Sequence, residues 1–333
     1  MSAGLKDSEL EIIVLDGLAE DIVPFFGAYY PSASRNCQTV EREQARPAFE
    51  GASQSGFLAR FKAEGRFKGD LGMLVAEANA WETSFFGCQV IQLSMLLRGA
   101  TYDERYPVAV ALLKRWLESR STENQEYFVV RVPTEDVALI HALEKCAFNL
   151  LVPMVTLERS LEKVGTANVN ATEIELSEVG ERDIPTIAEI SRHAFNYGRF
   201  WVEPYLSRAV SGEMHATWSR NCCKKHLADE VIVARIKDQT VGFIAVRCRQ
   251  YGDFRVGEIN LIAVASTARG TGVGQALVEA GCSWAQARVA NMIVRTELPN
   301  TSAIRMYERC GFRLGSGSLY FSLWKLGATA GST

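Results

Sequence analysis

The chain has 333 residues, 47% of them hydrophobic and 23% charged, which is the composition of a globular protein and excludes a disordered or fibrous one. This length favours two domains. The formal net charge of −3 provides no overall field that would recruit nucleic acid or an anionic membrane, so we expect neither as a partner.

The N-terminus lacks a secretory pattern, and no apolar run approaches the ~20 residues that span a bilayer. We therefore expect a cytoplasmic protein whose eight cysteines stay reduced. Cys222, Cys223 and His226 are the one grouping that suggests a metal site, but adjacent cysteines rarely both chelate one ion. We expect no metal.

The first half, residues 1–160, predicts an alternation of strands and helices towards its end. The predicted elements are a strand at 89–97, a helix at 107–120, a strand at 127–132 and a helix at 135–146. The role of residues 1–75 is left open. Residues 161–171 are small, polar and aperiodic, and this composition predicts a linker.

The second half, residues 172–327, predicts a mixed sheet flanked by helices, followed by a disordered tail at 328–333. Its predicted strands are 173–176, 230–236, 240–247, 256–264, 292–296 and 312–324. Its predicted helices are 181–194, 202–208, a helix from the glycine-rich turn to about 288, and 301–310.

The ends of the two halves resemble each other. Residues 136–148 align without a gap over residues 300–312, with matches at Ile, Glu, Lys/Arg, Cys and Phe. This match predicts an internal duplication, with a chance likeness of two amphipathic helices as the alternative. The first half has Leu143 where the second has Tyr307, and it has no glycine loop between residues 97 and 107. We expect that the first copy has lost its ligand site.

A glycine-rich turn joins the strand ending at Val264 to the next helix. Arg269 precedes Gly270, Gly272 and Gly274, and such a turn exposes converging backbone N–H groups at a helix N-terminus, which suits a diphosphate. The Rossmann spacing fails because position 277 is leucine, and the Walker pattern fails because glutamine follows Gly274.

The spacing that does fit is R/Q-x-x-G-x-G/A, followed downstream by N-x-x-A-x-x-x-Y-x-x-x-G-F from Asn300 to Phe312. Both segments resemble the GNAT superfamily of N-acetyltransferases. The resemblance implies an α/β (α+β) GNAT fold, in two tandem copies of which the first is degenerate. It also implies an acyltransferase that uses acetyl-CoA as co-substrate.

The resemblance further implies which residues contact acetyl-CoA. They are Ile262, Ala263, Val264, Arg269, Gly270, Thr271, Gly272, Val273, Gly274, Asn300, Ala303 and Tyr307. The strand ending near Val264 is expected to splay from the strand that begins near Met292, which would leave backbone groups free for the pantetheine. The amide near Val264 is then expected to polarise the thioester carbonyl.

Tyr307 resembles the general acid of the superfamily, which protonates the departing thiolate; a packed helical tyrosine is the alternative. Glu258 is expected to be the base, since strand alternation would put it on one face with Asn260, Ile262 and Val264. A solvated Glu258, with deprotonation by bulk water, stays open.

Two further segments resemble bacterial acetyltransferases of nucleotide-linked amino sugars (the TDP-fucosamine type): residues 80–87, and 194–200 with the aromatic residues that follow. On this resemblance Arg199 would bind a phosphate, and Trp201 or Tyr205 would stack on a base or sugar. The long N-terminal stretch departs from that type.

We therefore expect transfer of an acetyl group to a small-molecule amine, with a nucleotide-linked amino sugar as the first candidate. A protein, peptide or antibiotic-like amine stays open, as does a non-catalytic acyl-CoA-binding protein, although an intact Tyr307 argues against the last. A homodimer is also left open.

Overall fold

A computed structural model of the chain describes residues 10–14, 58–65, 69–120, 123–162, 174–251 and 254–326. Most of the linker predicted at 161–171 and the tail predicted at 328–333 lie outside these residues, as do most of residues 1–75. No helix in these ranges is long and apolar enough to cross a bilayer.

The described residues divide into two compact units. One contains the residues up to Val152 together with those from Gly317 onwards, and the other runs from Pro153 to Ser316. This division differs from the sequential one predicted from the sequence, in which one half would follow the other across residues 161–171.

The first unit is a six-stranded sheet with three helices among its described residues. Its elements are β1 (Leu10–Val14), β2 (Leu58–Gly65), β3 (Gly69–Ala78), α1 (Ala80–Phe86), β4 (Gln89–Leu97), α2 (Tyr102–Glu118), β5 (Glu126–Pro133), α3 (Val137–Lys145) and β12 (Arg313–Lys325). The strand order is β1-β2-β3-β4-β5-β12. Neighbouring strands are antiparallel except for the parallel pair β4–β5.

The second unit repeats this arrangement. Its elements are β6 (Asn149–Ser160), β7 (Glu175–Glu178), α4 (Ile184–Ala194), α5 (Arg199–Val202), α6 (Arg208–Cys223), β8 (Glu230–Ile236), β9 (Gln239–Tyr251), β10 (Phe254–Val264), α7 (Val273–Gln286), β11 (Asn291–Glu297) and α8 (Thr301–Arg309). The strand order is β7-β8-β9-β10-β11-β6. All neighbours are antiparallel except β10–β11.

The last strand of each copy belongs to the sheet of the other copy. β6 follows the helices of the first copy but pairs with β11, and β12 follows those of the second copy but pairs with β5. Because β6 pairs with β11 over residues 154–160 and β12 pairs with β5 over residues 318–325, the boundary between the units cannot coincide with a single linker in the sequence. This exchange is the reason for the departure from the predicted domain limits.

The predicted duplication is confirmed, since both sheets have the same sequence of antiparallel and parallel pairs. The details of α3 and α8 also agree. Asp136 and Asn300 each cap their helix by accepting the backbone N–H three residues on. After each helix the chain takes a left-handed residue, Ala147 (φ 65°) in the first copy and Gly311 (φ 80°) in the second.

The helices of the second unit lie on both faces of its sheet. α7 and α8 pack on one face, in a cluster that contains Leu277 and Tyr307. α4 and α6 pack on the other, in a cluster that contains Ile187 and Cys222. A side chain on one face of the sheet therefore contacts α7 and α8, and a side chain on the other face contacts α4 and α6.

The predicted helix at residues 202–208 is wrong, and α6 was not predicted. α6 begins after Ser207, whose hydroxyl accepts a backbone N–H of the first turn. Its buried face includes Ser211, Gly212 and Ser219, so small polar residues occupy positions where an apolar stripe would have marked a helix.

Candidate active site

The parallel strands β10 and β11 separate partway along their length. Only Gly257–Ile259 pair with Met292–Val294, although β10 continues to Val264 and β11 to Glu297. The strands therefore enclose an opening beyond Ile259, as expected from the sequence. An extended ligand can lie there against unpaired backbone groups.

A β-bulge interrupts the pairing of β10 with β9 at Asn260. The bulge reverses the alternation of side chains beyond it. Ile262 and Val264 pack in the cluster beneath α7, whereas Asn260 reaches the carbonyl of Leu227 on the α6 side at 2.7 Å. The prediction that Glu258, Asn260, Ile262 and Val264 share one face is therefore wrong, because strict alternation does not survive a bulge.

The backbone of β10 supplies donors to the opening. The N–H of Ala265 donates to Val241 on the β9 side at 2.8 Å. Since successive N–H groups of a strand point in opposite directions, the N–H groups of Val264 and Ile262 point away from β9. Arg269 crosses this region, and its Nε lies 3.4 Å from the carbonyl oxygen of Val264.

The glycine loop leads into the N-terminus of α7. Gly270 and Gly272 have φ angles of 79° and 89°, a region that side-chain-bearing residues rarely adopt. No side chain caps α7, and its first turn contains no acidic residue. A Cβ at Gly270 or Gly272 would meet no atom within 4 Å, so the loop is open above both. These free N–H groups and the helix dipole fit a diphosphate.

The other residues of the loop have defined local roles. The hydroxyl of Thr271 donates to the carbonyl of Ala268 at 2.8 Å, and the side chain of Val273 is buried in the core. A Cβ at Gly274 would lie 2.7 Å from the sulfur of Met306, so glycine permits close packing of α7 on α8. Val273 and Gly274 can therefore contact a ligand through their backbone only.

Tyr307 lies on α8 and is 3% exposed. Its ring packs on Phe312 with centroids 5.7 Å apart. No hydrogen-bond partner of its hydroxyl occurs among the described residues. Burial raises the pKa of Tyr307 far above its ordinary value, and the charge of Glu297 raises it further, so the phenol stays protonated at neutral pH.

Asn300 and Ala303 support α8 in this structure. The Asn300 side chain accepts the N–H of Ala303 at 3.4 Å, and its amide lies 3.4 Å from the hydroxyl of Thr296. Ala303 packs in the cluster that contains Tyr307. Together they set the start of α8 and hence the position of the tyrosine two turns later.

Glu258 is held by three side chains at the paired end of the strands. The hydroxyl of Tyr251 donates to its Oε1 at 2.5 Å, Nε of Arg249 lies 3.2 Å from its Oε2, and Nη1 of Arg295 lies 3.7 Å from Oε1. These contacts connect β9, β10 and β11. They favour a structural role for Glu258, and its role as base stays a prediction without support from the geometry.

Glu297, which the sequence reading did not single out, ends β11 at the edge of the opening. A Cβ at Gly198 would lie 3.1 Å from its Oε1, so the loop before α5 passes directly over the carboxyl group. Burial raises its pKa. The duplication could have drawn attention to Glu297, because the same alignment places Pro133 at the equivalent position in the first copy.

The predicted acceptor residues lie on and after α5. The Arg199 guanidinium stacks 4.2 Å from the ring centroid of Phe200, and that of Arg208 lies 4.2 Å from the centroid of Trp201. Tyr205 follows in the loop and is 68% exposed. The approach of Gly198 to Glu297 places the start of α5 near the end of β11, whereas Tyr205 lies in the exposed loop after α5.

His215 on α6 supports this loop from below and was also missed. Its ring stacks on Phe195 with centroids 4.6 Å apart and lies edge-on to Phe200 at 5.9 Å. Its Nδ1 lies 2.8 Å from the carbonyl oxygen of Ser211, and burial lowers its pKa. The imidazole is therefore neutral at pH 7 and serves as an aromatic support.

Cys222 and Cys223 are both buried at the end of α6. Among the described residues, no group of three or more His, Cys, Asp or Glu could hold a metal ion. Burial raises the pKa of Cys222 to about 12 and that of Cys223 to about 11, so both thiols stay protonated at neutral pH.

Comparison with known sequences locates a similarity to the acetyltransferase (GNAT) family at residues 196–312. The spore coat polysaccharide biosynthesis protein SpsD of Bacillus subtilis (strain 168) is 24% identical over 258 residues, which cover 76% of this chain and 84% of SpsD. A mycothiol acetyltransferase from Salinispora tropica is 34% identical over 74 residues, which cover 22% of this chain and 24% of that protein.

Solved structures resemble the whole chain in fold. A GCN5-related N-acetyltransferase from Sphaerobacter thermophilus has a TM-score of 0.58 at 12% identity, covering 97% of this chain and 98% of that one. A tandem GNAT protein from the clavulanic acid biosynthesis pathway has a TM-score of 0.55 at 12% identity, covering 95% and 99%. The tandem arrangement of two units therefore has precedent in known structures.

Proposed function

We propose that this protein transfers the acetyl group of acetyl-CoA to the primary amine of a nucleotide-linked amino sugar, a proposal supported by the match of residues 196–312 to the acetyltransferase (GNAT) family. The transfer proceeds by direct attack of the amine in a ternary complex. The observation that carries the donor side is the uncapped N-terminus of α7 beneath two open glycines in left-handed conformation.

Acetyl-CoA fits the second unit along a continuous path. The diphosphate is bound by the N–H groups from Gly270 into the first turn of α7, with Arg269 beside it. The pantetheine extends into the opening between β10 and β11. The thioester then lies between the N–H of Val264 and the hydroxyl of Tyr307.

The chemistry follows from these two groups. The N–H of Val264 donates to the carbonyl oxygen of the thioester as negative charge develops on it. The neutral amine attacks the carbonyl carbon, and the C–S bond breaks. Tyr307 donates its proton to the departing sulfur. Burial keeps this phenol protonated until the thiolate forms, and the same burial disfavours an unprotonated thiolate.

Two observations support a sugar nucleotide as the acceptor. SpsD, whose name assigns it to polysaccharide biosynthesis, matches 76% of this chain and so extends over both units. Arg199 begins α5 directly after Gly198, whose backbone approaches Glu297 at the end of β11, and a guanidinium there suits the phosphates of a nucleotide. Trp201 adds an aromatic surface next to it.

The test is a screen for CoA release with acetyl-CoA and a panel of amines. The panel contains TDP- and UDP-linked amino sugars, free amino sugars, aminoglycosides and lysine peptides. We expect turnover with the nucleotide-linked sugars and at least tenfold lower kcat/KM with the free sugars, because the free sugars lack the phosphates that Arg199 binds. Turnover on peptides alone would overturn the proposal.

An Arg199→Lys variant sharpens this screen. Lysine keeps the charge but loses the bidentate geometry of the guanidinium. We expect a higher KM for the nucleotide sugar and an unchanged KM for acetyl-CoA. If both KM values stay the same, Arg199 does not bind the acceptor.

A further inference from the structure

Two carboxyl groups lie near the opening, Glu258 buried and Glu297 partly buried, and their surroundings differ. Glu258 contacts two arginines and a tyrosine hydroxyl at the paired end of the strands. Glu297 lies at the open end, and no Lys, Arg or His of the described chain forms an ion pair with it. Glu258 therefore has two guanidinium groups within 4 Å, whereas the carboxyl group of Glu297 has no cationic partner among the described residues.

The direction of Glu297 follows from the alternation of β11. Met292 and Val294 pack beneath α7, so Arg295 and Glu297 lie on the opposite face, which carries α4 and α6. The contact of Arg295 with Glu258 and the closeness of Glu297 to Gly198 agree with this assignment. Glu297 therefore faces the loop that bears Arg199.

Tyr307 lies with α8, on the other face, so Glu297 and Tyr307 flank the opening from opposite sides. They are electrostatically coupled, since the charge of Glu297 helps to raise the pKa of Tyr307. Burial raises the pKa of Glu297, and hydrogen bonds from its own N–H and the Thr296 side chain offset this only in part. A raised pKa makes this carboxylate a stronger base than an exposed one.

We infer that Glu297 is the general base of the acetyl transfer, from its position at the open end of β11, beneath the Gly198 loop and opposite Tyr307. This inference rests on the proposed function, because it assigns a group to the same site. It also places the attacking amine between the Gly198–Arg199 loop and the thioester.

Glu297 and Tyr307 together account for both protons that move in the reaction. The amine nitrogen forms the C–N bond and gives one proton to the carboxylate of Glu297. The C–S bond breaks with its electron pair going to sulfur, which takes the proton of the Tyr307 hydroxyl. Return of the proton from Glu297 to the phenolate restores both groups, and the net products are the amide and CoA.

The experiment compares Glu297→Ala with a matched variant, Glu258→Ala, in the full-length enzyme. The acceptor is TDP-fucosamine or, if the wild type does not acetylate it, the amine of the panel that it does acetylate. We expect Glu297→Ala to lower kcat by about 100-fold while the acetyl-CoA Kd, measured by calorimetry, changes less than twofold. Added sodium formate should restore part of kcat, with sodium chloride as the salt control.

Formate rescue separates a base from a structural residue, because a small carboxylate in the vacated space can take a proton but cannot rebuild a fold. Glu258→Ala should show no rescue. An unchanged kcat in Glu297→Ala, or a lowered kcat that formate does not restore in a variant that still binds acetyl-CoA, would overturn the inference.

A second measurement tests the role of Glu297 as base independently of the identity of the acceptor. In the slow enzyme-promoted hydrolysis of acetyl-CoA, water replaces the amine, so the base is tested without any acceptor. If the wild type acetylates no amino sugar, the proposed function fails, and Glu297→Ala must still slow this hydrolysis for the inference to stand.

Discussion

The corner between the fourth strand and the following helix has the same topology in both units but different chemistry. In the first unit four residues connect β4 to α2, and Glu104 Oε2 accepts the N–H groups of Ala100 and Thr101 at 2.9 and 3.2 Å. In the second unit the loop is longer, and no side chain caps α7. The first copy supplies its own anion where the second copy leaves room for one.

Other equivalent positions also differ between the first and the second copy. The left-handed Gly99 (φ 104°) packs against Glu104, where a Cβ would lie 2.8 Å from the glutamate Cβ, whereas nothing lies above Gly272. Leu143 and Pro133 occupy the positions of Tyr307 and Glu297. The two copies thus share their sheet order and helix caps but differ at the positions that we propose bind or act on acetyl-CoA.

The largest effect is expected from Gly272→Val. The new side chain would enter the open space above the loop and would strain a residue at φ 89°, so acetyl-CoA affinity should fall more than 100-fold. Gly87→Val in the first unit is the control, since Gly87 has a φ of 70° and equally open surroundings. Both should lose about 1–2 kcal/mol of stability. Calorimetry should show that only the first variant loses binding; equal binding in both would locate the diphosphate elsewhere.

Tyr307→Phe tests the change from leucine to tyrosine between the copies. We expect kcat to fall by about 100-fold, with acetyl-CoA affinity nearly intact, because the hydroxyl acts on the departing thiolate rather than on the bound ground state. Tyr127→Phe, at a tyrosine of the first unit that is 1% exposed, is the control for loss of a buried hydroxyl. Unchanged turnover in Tyr307→Phe would remove this residue from the mechanism.

Glu258→Gln asks whether the carboxylate between Arg249 and Arg295 supports the sheet or the chemistry. Since the amide leaves two guanidinium groups without their shared charge, we expect a loss of about 1–3 kcal/mol in urea unfolding. The kcat of the folded variant should stay within about threefold of the wild type. A 100-fold loss of kcat at unchanged stability would instead restore Glu258 as the base.

Glu104→Ala should have the smallest effect. Removal of the carboxylate leaves the N–H groups of Ala100 and Thr101 unpaired, which should cost about 1 kcal/mol in thermal or urea unfolding. Acetyl-CoA affinity should not change. Glu118→Ala at the exposed end of the same helix is the control and should stay within about 0.5 kcal/mol. A second equivalent of bound acetyl-CoA in Glu104→Ala would show that this residue alone blocks a functional site.

Much of the second unit could be predicted from its sequence, because the glycine loop and the segment from Asn300 to Phe312 have fixed spacing and direct physical roles. The strands predicted at 230–236 and 240–247 correspond to β8 and β9, and Lys237 and Asp238 adopt positive φ in the turn between them. Likewise the alignment of residues 136–148 with 300–312 correctly indicated the duplication.

The features that could not be predicted depend on contacts between residues that are far apart in the sequence. The exchange of β6 and β12 could not be predicted, because the sequence of a strand does not indicate which sheet the strand joins. The bulge at Asn260 put Ile262 and Val264 on the face opposite to that of Asn260, and a single extra residue cannot be recognised in an apolar run of sequence. Glu297 was missed because burial and the approach of Gly198, rather than any motif, distinguish it.

The exchange of terminal strands also sets the order in which the protein can be completed during synthesis. β5 ends at Pro133, but its partner β12 begins only at Arg313, about 180 residues later. At roughly 5–20 residues per second, the ribosome needs on the order of 10 to 40 s to supply it. Throughout that interval the first sheet has an unpaired edge. The first unit is therefore completed only after β12 has been made, and removal of β12 should damage the unit that is made first.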